Sequence, residues 1–172
     1  VTEKGPDQLA PFTTWGYWEI AYRDPETGVD YHVHRPGSYW IAGPQTPAAE
    51  ISNLMASNFS GNYTGGAQGI HIDPAGQIKE LTGGFTDLNI DFNPGASIPV
   101  WGNISFDQVN LNVTSDSTNK VELSGFSGRV SGAMSSKVKG TYFGPNAASI
   151  GGKFNARMSV GDEYHGIFAG NR

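Results

Sequence analysis

His32 and His34 are the residues whose spacing comes closest to a ligand set. At i and i+2 on an extended strand both imidazoles face one side, so they could offer two nitrogens to a metal or to a haem iron. His71 and His165 are the other two histidines of the chain and the candidates to join them. The 172 residues contain no cysteine, which excludes thiolate metal sites, disulfides and Cys nucleophiles. Asp30 is the one nearby acidic residue that shares the histidines' parity. With nothing else to complete a coordination set, the pair also reads as a polar strand face. No metal and no cofactor are expected.

Other chemistry is thinner. Asp87, Asn89 and Asp91 line one face of a strand-like stretch, as a cation site could. Calcium needs six to eight converging oxygens, and a strand spreads alternate side chains roughly 7 Å apart, so a solvated face is the favoured reading. Glu19, Glu50, Glu80, Asp91, Asp107 and Glu122 could supply paired carboxylates, yet no spacing brings two together. Gly125-Phe126-Ser127-Gly128 lacks the spacing of a nucleophile elbow. The chain reads as non-catalytic.

Trp15, Tyr17, Trp18, Tyr22, Tyr31, Tyr39 and Trp40 crowd the first quarter. Exposed aromatics make binding surfaces, and buried ones fill the end of a barrel. Burial is expected for most, with Trp15 and Tyr17 as the exposed binding candidates beside His32 and His34. Four Asn-x-Ser/Thr sequons begin at Asn58, Asn62, Asn103 and Asn112, matches that an Asn-rich chain produces by chance.

The elements that must position these residues are mostly strands. Residues 1–14 read as an N-terminal arm broken by Pro6 and Pro11. Residues 15–172 read as one domain. Residues 15–23 and 29–34 form a hairpin over an Asp24-Pro25-Glu26-Thr27-Gly28 turn. Arg35-Pro36-Gly37 turns the chain again. One helix is expected, capped by Thr46, begun by Pro47 and fading near Ser57-Asn58, with Ile51, Leu54 and Met55 on its buried face. A long strand then runs over 59–73, with a bulge allowed at Gly65-Gly66 and a turn at 73–76. Leu88, Ile90 and Phe92 alternate with polar residues, as do Leu111 and Val113, and Phe154, Ala156, Met158 and Val160. Parity slips near Gly125-Phe126, where a bulge is expected. About eight strands joined by short links predict an all-β, up-and-down antiparallel barrel with one short early helix. A sandwich is the alternative.

Composition bounds the function. Net charge is -5 with 16% charged residues, which argues against nucleic acid and anionic membranes as partners. No apolar run approaches the roughly 20 residues of a spanning helix. The chain opens on Val1 rather than Met, so it reads as a processed protein or an excerpt, and any signal or lipid anchor would lie upstream.

The most specific text is C-terminal. It contains Phe143-Gly144-Pro145-Asn146-Ala147, then Gly151-Gly152-Lys153-Phe154, and ends Gly166-Ile167-Phe168-Ala169-Gly170-Asn171-Arg172. It resembles the closing strands of the barrel shared by transferrin-binding protein B and related surface lipoproteins, over roughly the last 35 residues. The family often carries Glu where this chain has Ala148-Ser149. Residues 15–47 resemble bacterial proteins in which such a barrel follows a FecR-like domain. The resemblance implies a bacterial cell-surface or secreted module, at the outer membrane, that binds a protein partner. Gly144, Pro145, Gly151, Gly152, Phe154, Gly166 and Phe168 are its structural positions, with Phe154 and Phe168 expected to plug the interior. A small-ligand carrier, with haem in or at the mouth of the barrel, is one alternative. A structural subunit that self-associates through the arm is another.

Overall fold

The computed structural model describes residues 2–7, 10–115 and 120–172; the side chains of residues 2–7, 19–21 and 31–37 lie outside that description. The chain runs β1 (Thr2–Asp7), β2 (Thr14–Arg23), β3 (Asp30–Ala42) and α1 (Ala48–Ala56). Then follow β4 (Ser60–Ile72), β5 (Ile78–Leu81), β6 (Phe85–Asp91), β7 (Val100–Ser105) and β8 (Asn110–Thr114). The rest is β9 (Val121–Glu122), β10 (Gly125–Val130), β11 (Ser135–Phe143), a single 3-10 turn at Pro145–Ala147, β12 (Ser149–Ser159) and β13 (Asp162–Asn171).

From β4 onward each long strand pairs antiparallel with the next, in the order β4, β6, β7, β8, β10, β11, β12, β13, and β13 returns to β4. These eight strands close an up-and-down barrel, as the alternating sequence pattern predicts. Closure leaves no long edge among them, which is why a meander of this length rolls up rather than staying open. β4 is long enough to serve two partners: Ser60 to Gly66 pair with β6, and Gly69 to Ile72 pair with the short β5.

One residue in two along each strand points inward and is lost to solvent. Tyr63, Leu88, Ile90, Val100, Ile104, Leu111, Val138, Ile150 and Phe168 are all 0% exposed. Helix α1 closes one end. Its Ile51 is fully buried in the same core cluster as Phe92, Tyr142 and Ala147, and Leu54 and Met55 pack alongside. Phe92 and Tyr142 meet at 5.3 Å between centroids, and Tyr63 Oη donates to the Ala147 carbonyl at 2.9 Å.

Strands β1, β2 and β3 form a separate three-stranded sheet outside the barrel wall. The arm is therefore partly ordered: Thr2–Asp7 pairs with β2 of the same chain. Pro6 is tolerated because β1 is an edge strand and the register breaks between Lys4 and Asp7.

Several local expectations are corrected. Arg35-Pro36-Gly37 does not end a strand: β3 continues through it, and the register jump between Tyr17↔Tyr39 and Glu19↔His34 absorbs the extra residues as a bulge. Thr46 does not cap α1. Pro47 occupies the N-cap, and Thr46 Oγ1 donates across the molecule to the Gly144 carbonyl at 2.7 Å. The parity slip before Phe126 is a tight hairpin rather than a bulge, since Gly125 pairs with Glu122 across Leu123-Ser124. Gly65-Gly66 stays in continuous register with Thr86 and Phe85. Val160 leaves the alternation, 73% exposed at the tip of the β12–β13 turn.

Candidate functional site

The small sheet is held to the barrel by its aromatic residues. Trp15, Tyr17 and Tyr39, with Ile41 beside them, cluster on Ile70 of β4 and Ile167 of β13. Tyr17 lies 6.3 Å from Trp15 and 5.6 Å from Tyr39, the latter edge-on. Ile70 and Ile167 point out of the barrel, and both are 0% exposed because this sheet covers them. Trp15 and Tyr17, expected as exposed binding residues, are 7% and 6% exposed. The correction has a clear cause: an outward isoleucine pair in water would leave apolar area exposed, and the large aromatic rings cover it. Burial drives the Tyr39 phenol well above its usual range, with the Glu80 carboxylate adding to the rise.

The opposite face of the sheet is open. Trp18 and Tyr22 have the other parity on β2 and are 49% and 52% exposed. Phe12, just before β2, is 43% exposed. The sheet therefore carries aromatics on both faces, one set docking it and one set facing outward. Sequence reasoning assigned the two sets the wrong way round. The signal that could have sorted them was Ile70 and Ile167, apolar residues out of phase with the inward Ala67 and Phe168, which mark strands covered on both sides.

His32 and His34 lie on β3, where their backbones pair with Ala21 and Glu19. Their side chains lie outside the described residues, and so does any ligand geometry for them. The other two histidines are placed. His71 Nε2 meets Asp162 Oδ1 at 2.6 Å, and its ring stacks on Tyr164 at 4.5 Å with planes 6° apart. Burial first, and then Asp162, raise the Tyr164 phenol above its usual value. His165 Nε2 lies 3.2 Å from Glu163, which also faces Arg157 at 3.6 Å. Each imidazole thus has its own carboxylate. Among the described residues no group of three His, Asp or Glu side chains converges as a metal site. Asp87, Asn89 and Asp91 stay on the outer barrel wall, where Asn62 Nδ2 donates to Asp87 at 2.8 Å and to Asn89 at 3.3 Å.

Gly144 (φ 70°) and Pro145 open the 3-10 turn, with the Asn146 amide donating to Glu50 of α1 and Arg172 donating to the Asn146 carbonyl at 2.8 Å. The turn thereby ties the helical plug to the last residue of the barrel. Phe154 and Phe168 point inward at 3% and 0% exposure. Phe154 packs 5.9 Å from Phe106, and Phe168 packs 6.2 Å from Phe126. Gly166 lies against the Phe154 ring and Gly152 against Phe168, while Gly151 faces outward under Ile41. Along the barrel interior the inward side chains pack against one another.

No family model and no curated protein matches the chain. Solved structures do. Transferrin binding protein B from Neisseria meningitidis serogroup B superposes with a TM-score of 0.63 at 15% identity, over 99% of this chain and 34% of that one. A double mutant of transferrin binding protein B from Haemophilus parasuis gives 0.62 at 17% identity, over 94% and 32%. The N-lobe of lactoferrin binding protein B from Moraxella bovis gives 0.54 at 14% identity, over 99% and 78%. The chain spans about a third of the length of the two transferrin binding proteins. Superposing on these structures over 94–99% of its length, this chain, with its closed eight-stranded barrel, has the transferrin-binding-protein-B-like β-barrel fold.

Proposed function

We propose that the chain is a non-catalytic, surface-displayed binding module that takes a protein partner on the outer face of its three-stranded sheet. The observation that carries this reading is the half-exposure of Trp18 and Tyr22 on a sheet whose other face docks onto the barrel through Trp15, Tyr17 and Tyr39. Exposed, rigidly mounted aromatics are the residues that dominate protein interfaces. The structural neighbours support the reading, being named as transferrin and lactoferrin binding proteins and a surface lipoprotein. The same likeness supports a location on a bacterial cell surface.

The test is binding of immobilised protein to serum and to secretion proteins, with purified transferrin and lactoferrin as defined probes. Trp18→Ala and Tyr22→Ala should each weaken capture at least about tenfold, since aromatic anchors at interfaces are worth roughly 2 kcal/mol or more. Undiminished capture by the double variant would move the surface elsewhere. Self-association through the arm is a second reading, favoured by β1 lying at the sheet's edge, where an unpaired side can accept a strand from another copy. Removing residues 1–7 should then lower the mass seen by sedimentation, and an unchanged mass would dispose of it.

A further inference from the structure

On the far side of the barrel, the outward positions of β6, β7 and β8 carry Phe85, Asp87, Asn89 and Asp91, then Trp101, Asn103 and Ser105, then Asn110, Asn112 and Thr114. Two of these are exposed aromatics, Phe85 at 48% and Trp101 at 39%. The ladder pairs Phe85 with Ser105 and Asn89 with Trp101, so the two rings stand four residues apart along β6 and β7. That is about 13 Å on one wall. Asp87 and Asn103 pair with each other between the rings. Trp101 also forms one side of an open groove with Asp91, Ile98 and Thr114, in which Ile98 is 50% exposed.

We propose that this wall is a binding site for a neutral oligosaccharide, distinct from the protein surface on the sheet. Pyranose rings have apolar C–H faces that stack on aromatic side chains and hydroxyl rims that hydrogen-bond to amides, carboxylates and hydroxyls. The wall supplies both in alternation: two platforms separated by Asn and Asp side chains. Asn62 bridges Asp87 and Asn89, holding them in place before any ligand arrives. None of β6, β7 and β8 contains Lys or Arg, while two carboxylates flank the groove and the platforms. With Arg129 of the neighbouring β10 as the cation at its edge, beside Thr114, the carboxylate-bearing wall favours an uncharged sugar over uronates, sulfates and phosphates. Protein interfaces are depleted in Asp and Ser at their centres, which makes this wall a poor protein contact. The platform spacing fits a chain of several sugars rather than a monosaccharide.

The test follows the Trp101 indole N–H by NMR, assigned by its loss in Trp101→Ala. The probes are the hexasaccharides of cellulose, chitin, mannan and amylose, with a heparin hexasaccharide as the anionic comparison. A shift of the Trp101 resonance is expected with at least one neutral hexasaccharide and none with heparin. Affinity by calorimetry should drop about tenfold in Trp101→Ala. Phe85→Ala should weaken the hexasaccharide while leaving the matching disaccharide unchanged. An unmoved Trp101 signal across the neutral panel, binding retained by Trp101→Ala, or a response to heparin alone would each overturn the proposal. Because Trp18 and Tyr22 lie on the separate sheet, loss of protein capture in their variants leaves this outcome untouched.

Discussion

Replacing Gly152 by alanine puts the closing geometry of the barrel under direct strain. Gly152 on β12 pairs with Gly140 on β11 and with Phe168 on β13. A Cβ there would sit 2.1 Å from the Lys139 carbonyl oxygen, 2.7 Å from Gly140 Cα and 2.7 Å from Phe168 Cζ. Ordinary contact begins near 3.4 Å, so the carbonyl would have to retreat by about 1.3 Å. That atom belongs to the neighbouring backbone and cannot rotate away, so β11 and β12 must part. Overpacking costs about 1–3 kcal/mol, and each ladder hydrogen bond lost adds about 1. A total near 3–4 kcal/mol lowers the melting temperature of a chain this size by about 10 °C. Gly132→Ala is the control: unlike that of Gly152 its φ is positive, at 78°, and nothing lies within 4 Å of the new Cβ. Only the left-handed backbone penalty of about 1–2 kcal/mol remains there, a fall of roughly 2–8 °C. Calorimetric melts of the two variants, checked by urea midpoints, decide the matter. If Gly152→Ala melts level with Gly132→Ala or above it, the close-approach explanation of the Gly-Gly pair is wrong.

Trp15→Ala should cost about 3–5 kcal/mol by uncovering Ile70 and Ile167, whereas Trp18→Ala should stay within about 0.5 kcal/mol, as thermal melts would show. Alkaline pH should destabilise the fold. Burial pushes the Tyr63 phenol up to about 12, and it raises Tyr39 and Tyr142 further. The unfolded chain releases these protons near pH 10 while the native state keeps them, so stability present below about pH 10 is lost as pH rises, by about 1.4 kcal/mol per unit for each tyrosine. A urea midpoint that is flat between about pH 10 and 12 would contradict that burial. Thr46→Val should cost about 1–3 kcal/mol by leaving the buried Gly144 carbonyl without its donor, read from the same denaturation curves.

The barrel half was legible because its alternation is regular. Leu88, Ile90 and Phe92 separated by Asp and Asn can serve only a strand with one wet face, and the structure buries all three completely. The aromatic N-terminal quarter was not, because there both parities are apolar. Trp15 and Trp18 are alike in type and only three residues apart, and nothing local says which one meets Ile167. The same holds for Thr46, whose type suits a helix cap but whose hydroxyl finds a carbonyl 98 residues away. The polar wall bearing Trp101 read as solvated strand because the sequence cannot show that Phe85 stands four steps along the ladder from it.

What residue order alone determined was therefore periodic: strand parity through the barrel, the extent of α1 and the glycine-rich closure around Phe154 and Phe168. Those features arise from contacts between a residue and its near neighbours along the chain, or from steric limits within one residue. Which face of the small sheet docks, which aromatics stay in water, and which side chains gather on one wall were decided only by tertiary packing. These depend on strands dozens of residues apart competing for the same apolar area, and that competition leaves no local trace in the sequence.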